Sequence, residues 1–184
     1  MKLIVAVSGT PGTGKTWLSR RIARKFGMKY INVNLLIRRH KLYQKYDRKR
    51  KCYVVDEKKL SKFIVSHLSE KKSPDPYLIV DKNRLIKDIK KCVRLLEERK
   101  LSLRGKRMKK NLGYIIDSHL SHFLPKSFVD FCIITKTDLG RLKKRLRKRK
   151  YSKKKVFENL QAEIFDTCYE EARKIGHKII VYHN

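Results

Sequence analysis

Acidic residues are scarce in this 184-residue chain: 17 Asp and Glu stand against 49 Lys and Arg, for a formal net charge of +32. Excess Lys without matching Glu does not fit a surface built on ion-pair networks, which need both signs. It favours partners that are polyanions, drawn in by counterion release on RNA or DNA. A lysine-rich solvated surface is the plainer reading of the same numbers. Cysteine is also sparse. The four, at 52, 92, 132 and 168, include no C-x-x-C pair, which argues against a zinc site and against a secreted disulfide scaffold and favours a reducing cytosol. Long apolar runs are missing, so no membrane span is expected. Met1-Lys2 leads directly into an apolar stretch, so no signal peptide is expected and the location read from the sequence is cytoplasmic. What remains, 41% hydrophobic residues in 184, suffices for one domain with a core.

The most specific feature present is Gly9-Thr10-Pro11-Gly12-Thr13-Gly14-Lys15-Thr16, directly after Leu3-Ile4-Val5-Ala6-Val7-Ser8. This is the G-x-x-x-x-G-K-[ST] phosphate loop (P-loop), set after a buried strand and before a helix as the chemistry requires. Backbone N–H groups must wrap phosphate oxygens, and side chains at the glycines would obstruct that approach. Gly12, Thr13, Gly14, Lys15, Thr16 and Trp17 are therefore the candidate triphosphate-binding residues. Lys15 is placed to reach the β- and γ-phosphates and the Thr16 hydroxyl to ligate Mg²⁺. The implied cofactors are ATP and Mg²⁺.

Along the chain, apolar runs alternate with amphipathic segments. Leu18, Ile22, Ala23 and Phe26 have helical spacing; Tyr30 to Val33 reads as a strand, with a helix beginning at Leu35. Cys52 to Asp56 leads to a helix near 58–68, and Tyr77 to Asp81 to another near 84–98, a pattern suggesting a local duplication. The basic segment 104–110 reads as a mobile surface loop. Tyr114 to Asp117, Phe131 to Ile134 and Ile179 to Tyr182 read as further strands. Leu139, Leu142 and Leu146 mark one helical face, and Val156, Leu160, Ile164, Phe165, Tyr169 and Ala172 trace a single helix ending near Gly176. Alternating strands and helices of this kind specify an α/β fold of three layers, α/β/α, around a central parallel sheet.

A phosphate loop needs an acid at the end of a neighbouring parallel strand, and Asp117 meets that need as a candidate for Mg²⁺. A strand-ending Asp that merely caps a turn is the alternative. His119, two residues on, is placed to face the same crevice. The segment 141–155 holds eleven Lys or Arg, which suits a lid supplying arginines to a transferring phosphoryl group, an RNA-facing helix or a solvated face. Thr135-Lys136-Thr137-Asp138 imitates the guanine-selecting [NT]-K-x-D of small GTPases. Asp117 lies only 21 residues before Asp138, and Leu120 replaces the glycine of a D-x-x-G switch, so a GTPase is disfavoured.

Taken together, these segments resemble the atypical adenylate kinases typified by adenylate kinase isoenzyme 6, the coilin-interacting nuclear ATPase, and their archaeal counterparts. The resemblance rests on the loop Ser8 to Thr16, on Asn32-Val33 with Arg38, Leu42-Tyr43 and Tyr46-Asp47, and on Asp117-Ser118-His119 with Phe123 and Pro125. It continues through Thr137-Asp138, Arg145-Leu146, Arg149, Tyr151, Lys154, Asn159, Glu163 to Phe165 and Glu170 to Ala172, covering about 1–65 and 112–178. It implies a nucleoside-monophosphate-kinase-like P-loop fold in a single domain. The core would span about 1–33 and 112–184, with a monophosphate-binding region near 34–65, a basic insertion near 66–111 and a short lid near 145–155. It implies transfer of phosphate from ATP to a monophosphate, AMP above all, ATP hydrolysis, and a role in small-ribosomal-subunit maturation with ribosomal protein uS11 and rRNA. By the same resemblance, Lys15, Asp117, His119 and Arg149 would be catalytic, Arg149 would also bind the triphosphate, Asn32 and Arg38 would meet the monophosphate, and Thr16 and Asp117 would serve the metal. An assembly switch with little kinase activity, or another small-molecule P-loop kinase, is the alternative. Lys150 stands where the family usually has Gly, Leu120 and Ser121 differ from it, and the segment 66–111 is long. The family's base-contacting loop and terminal helix have no counterpart after Asn184, from which weaker adenine selectivity is expected.

Overall fold

All six residues of Leu3–Ser8 (β1) are buried, as a strand covered on both faces of a parallel sheet must be. The computed structural model describes residues 2–48, 50, 52–70, 81–98 and 112–184. After β1 come Lys15–Lys25 (α1), Lys29–Asn32 (β2), Val33–Arg39 (α2), Lys45–Asp47 (β3), Cys52–Val54 (β4), Glu57–Glu70 (α3) and Lys82–Glu97 (α4). Gly113–Asp117 (β5), a 3₁₀ turn at Ser121–Phe123, Phe131–Lys136 (β6), Leu139–Lys148 (α5), Lys153–Ile164 (α6), Thr167–Ile175 (α7) and Ile179–His183 (β7) complete the order. Five strands form one parallel sheet, β2-β5-β1-β6-β7, and β3 and β4 form a separate antiparallel pair.

The two-residue period of β1 divides the core. Leu3, Val5 and Val7 pack with α1 and α4 through Leu18, Ile22, Leu85, Ile89 and Val93. Ile4 and Ala6 face the other side, with Val33 and Ile37 of α2, Leu60, Ile64 and Leu68 of α3, and Ala172 of α7. This is the expected three-layer α/β/α arrangement, with Cys132 fully buried as a small core residue. Because β1 is central, with β5 on one side and β6 on the other, its C-terminal end opens into the crevice where open α/β sheets bind ligands.

Three local expectations change. The single helix from 156 to 176 is two, α6 and α7, interrupted at Asp166, whose φ of 51° lies in the left-handed region. Apolar periodicity runs unbroken through the interruption and so conceals it. Leu139 is 41% exposed, so Leu142 and Leu146 alone bury the face of α5. The pieces that suggested duplication pack on opposite faces of the sheet, α3 in one cluster and α4 in the other, so their likeness is one of pattern. Residues 77–80 and the basic segment 104–110 lie outside the described residues. Among the described residues, no helix is long and apolar enough to cross a membrane.

Candidate active site

The phosphate loop leaves β1 through three glycines with positive φ: Gly9 at 134°, Gly12 at 104° and Gly14 at 102°. The walls require these glycines as much as the backbone does. A Cβ on Gly9 would collide with the Thr135 carbonyl, and one on Gly12 would stand 2.8 Å from Leu142 Cδ1. Within the loop, Lys15 Nζ folds back to donate to the carbonyls of Gly9 and Thr10, at 2.7 and 2.9 Å. Enclosure lowers its pKa to about 8, against the opposing pull of Cys168 and Asp117. An ammonium held this way is ready to exchange carbonyl partners for phosphate oxygens.

At the end of β5, Asp117 Oδ2 accepts hydrogen bonds from the Thr16 hydroxyl at 2.7 Å and the Tyr30 hydroxyl at 2.7 Å. Parallel pairing places Asp117 beside Val7 of β1 and Asn32 of β2, so the acid stands at the phosphate-loop end of the sheet. The Thr16–Asp117 pair presents hard oxygen donors, the chemistry that suits Mg²⁺. Tyr30 was not anticipated. Burial, and then its bond to Asp117, raise its pKa, so it stays a donor that steers the carboxylate. A tyrosine on the strand next to the acid is the signal that could have found it.

Lys15, Thr16, Trp17, Arg38, Asp117, His119 and Arg149 all line one cleft of about 1050 Å³. His119 is exposed to the solvent in that cleft. Its surroundings in the cleft, then the charges of Lys15 and Lys155, hold its pKa below the ordinary imidazole value. Arg149 ends α5, its N–H bonded to the Arg145 carbonyl at 3.2 Å, and its side chain is exposed. Arg38, in the last turn of α2, is also exposed. Such an arrangement can hold a polyphosphate from one side and an acceptor phosphate from the other.

The family model described as AAA domain matches residues 5–166. A putative adenylate kinase of Methanocaldococcus jannaschii is 31% identical over 92% of this chain and 71% of its own length. The adenylate kinase isoenzyme 6 homolog of Caenorhabditis elegans is 28% identical over 97% of this chain and 76% of its own. This chain belongs to the atypical adenylate kinase family. Among solved structures, a shikimate kinase from Acinetobacter baumannii in complex with shikimate covers 98% of this chain and 83% of its own, with 10% identity and a TM-score of 0.47.

Two of the expected site residues, Asn32 from the resemblance and Thr13 from the loop motif, make structural hydrogen bonds in this atypical adenylate kinase. Asn32 caps α2, its Oδ1 accepting from the Leu35 N–H at 3.2 Å, and it does not line the cleft. The Thr13 hydroxyl is turned into the core against Thr135 Oγ1 at 2.6 Å. Gly12 and Gly14 line the cleft. The Gly12 carbonyl receives Arg145 Nη1 at 3.1 Å, which ties the last turn of α5 to the loop. The guanine-reader imitation is structural: Asp138 caps α5 by accepting from the Arg141 N–H at 3.0 Å, and the Thr137 N–H donates to Glu163 Oε1 at 3.0 Å.

Lysine at position 150 has a physical consequence. Lys150 adopts φ 56°, a left-handed conformation that glycine adopts without a Cβ penalty. The lysine keeps the turn after α5, with its N–H on the Arg147 carbonyl at 2.8 Å, at the cost of local strain.

Proposed function

We propose that this protein transfers the terminal phosphoryl group of ATP to a nucleoside monophosphate, AMP above all, and hydrolyses ATP slowly when no acceptor is bound. The observation that carries the reading is the 2.7 Å contact of Thr16 with Asp117 at the mouth of the phosphate loop, in one cleft with Arg38, His119 and Arg149. Thr16 and Asp117 would hold Mg²⁺, which when bound neutralises charge on the β- and γ-phosphates.

Lys15 gives up its two loop carbonyls to bind phosphate oxygens, while Tyr30 keeps Asp117 oriented. Neutral His119 positions the attacking oxygen, a phosphate oxygen of the acceptor or a water. Arg38 holds the acceptor phosphate, and Arg149, at the end of the lid helix, balances charge on the group in flight. Catalysis of this kind rests on positioning and fixed charge rather than on a covalent intermediate. The cleft volume of about 1050 Å³, at the upper end of ordinary small-molecule sites, supports a site for more than one small ligand.

The setting we propose is small-subunit maturation, with ribosomal protein uS11 and rRNA as partners. Support comes from the +32 charge and from the exposed Arg141, Lys143, Lys144, Arg147 and Lys148 of α5. An RNA contact made by these side chains weakens steeply with salt.

Labelled ATP offered with AMP, other monophosphates and water tests the chemistry. AMP should outcompete the other acceptors, Lys15→Ala and Asp117→Ala should abolish turnover, and His119→Ala should reduce it. An Asp117→Ala protein that turns over ATP at the parent rate overturns the assignment.

A further inference from the structure

The wide spacing of the cysteines argued against a zinc site built from cysteine pairs, but the fold gathers a mixed donor set from distant segments. His122 from the 3₁₀ turn and Cys168 and Glu171 from α7 each offer one ligand atom, and the three atoms lie within 4.8 Å of one another. All three residues line the cleft. The His122 ring is 1% exposed and is fixed from behind: its Nδ1 shares a hydrogen bond of 2.6 Å with Ser8 Oγ, and its Nε2 meets Glu171 Oε2 at 2.9 Å. His177 Nε2 bonds the His122 carbonyl at 2.8 Å, and a backbone hydrogen bond joins Gly9 to the Cys168 sulfur. An imidazole whose other nitrogen is engaged, and a sulfur that receives a backbone N–H, have the outer support that metal ligands need.

We propose that His122, Cys168 and Glu171 form a Zn²⁺ site beside the phosphate loop, with the fourth coordination position open to the cleft. Thiolate, imidazole and carboxylate together select zinc over the hard cations. The site is thereby distinct from the all-oxygen pair Thr16–Asp117. Zinc bonds of about 2.0–2.3 Å place tetrahedral ligand atoms about 3.3–3.8 Å apart. The three side chains reach that spacing by closing about 1 Å on the sulfur side, while the His122–Glu171 contact opens by a few tenths of an ångström. Binding releases the thiol proton of Cys168 to solvent. The dication would then stand on the floor of the cleft that the proposed phosphoryl transfer uses, without requiring nucleotide.

The test is a titration of the full chain with Co²⁺, a spectroscopic stand-in for zinc, with no nucleotide present, so that its outcome does not depend on kinase activity. One equivalent should produce the near-ultraviolet thiolate-to-cobalt band together with the visible bands of a tetrahedral ion, and Zn²⁺ should erase them. Cys168→Ser should abolish the ultraviolet band, whereas Cys52→Ser should retain it. Ser8→Ala, which removes the hydroxyl behind His122 together with its 3.2 Å bond to the His119 carbonyl, should weaken binding by roughly 10–100-fold. No tetrahedral spectrum in the parent protein, a thiolate band that survives Cys168→Ser, or displacement of Co²⁺ by equimolar Mg²⁺ would each overturn the proposal.

Discussion

Replacing Gly12 by alanine should push α5 off the phosphate loop. At φ 104° an L-residue carries about 1–2 kcal/mol of backbone strain. Its Cβ would also stand 2.8 Å from Leu142 Cδ1 and 3.4 Å from Leu146 Cδ2. Both leucines are fully buried, so the added methyl overpacks a filled space at about 1–3 kcal/mol. The sum, about 2–5 kcal/mol, is a large share of the stability of an ordinary domain. It should lower Tm by roughly 4–20 °C, at roughly 2–4 °C per kcal/mol for a chain of this size. Thermal unfolding followed by circular dichroism without nucleotide reads this directly. The decisive comparison adds Leu142→Ala, which alone costs about 2–5 kcal/mol but removes the methyl that the new Cβ strikes. The double variant should therefore be less destabilised than the sum of the singles, by roughly 1–3 kcal/mol. Strict additivity, or a Gly12→Ala protein melting within about 2 °C of its parent, refutes the packing account.

Three further outcomes are expected. At position 150, glycine should match lysine or stabilise the protein by no more than about 1 kcal/mol, because relief of strain is offset by backbone entropy. Lys150→Val should cost about 1–2 kcal/mol, and urea unfolding of the three proteins gives the order. The Lys15 pKa is lowered from 10.5 to about 8, so the folded protein binds that proton less tightly than the unfolded chain does. Nucleotide-free stability should consequently rise as pH climbs from about 8 towards 10.5, and Lys15→Met should flatten that slope in pH-dependent urea unfolding. Over the same window metal-free ATP binding should weaken, because phosphate attracts only the charged amine, and calorimetry should record proton uptake on binding above pH 8. A Tyr30→Phe protein should fold with a loss of about 1–2 kcal/mol and lose more in kcat than in KM for ATP, since the carboxylate it steers stays in place but is less well fixed.

Much of the frame was legible because it rests on short-range rules. Strand, glycine loop and helix follow one another within residues 3 to 25, and β1 and β5 are buried throughout and apolar up to Ser8 and Asp117 at their ends because both faces are covered. Asp117 was legible from its position at a strand end. What escaped reading depends on contacts between distant segments. Tyr30 reaches Asp117 across 87 positions, Arg145 reaches Gly12 across 133, and His122 meets Ser8 across 114. No periodicity encodes such pairs. Asn32 shows the converse: a side chain that resemblance assigns to a ligand is taken by the nearest unpaired amide, that of Leu35, because a helix start needs a cap.

The interruption at Asp166 has a mechanical consequence. An unbroken rod from Lys153 to Ile175 would transmit any displacement of Lys155, at its lid end, to Cys168 and Glu171 farther along. Two shorter levers meeting at a left-handed residue transmit far less, and the joint is anchored because Lys136 of β6 holds the Asp166 carboxylate at 2.6 Å. If the segment 145–155 moves as the proposed lid, this joint would absorb its travel and leave the spacing of Cys168 and Glu171 unchanged.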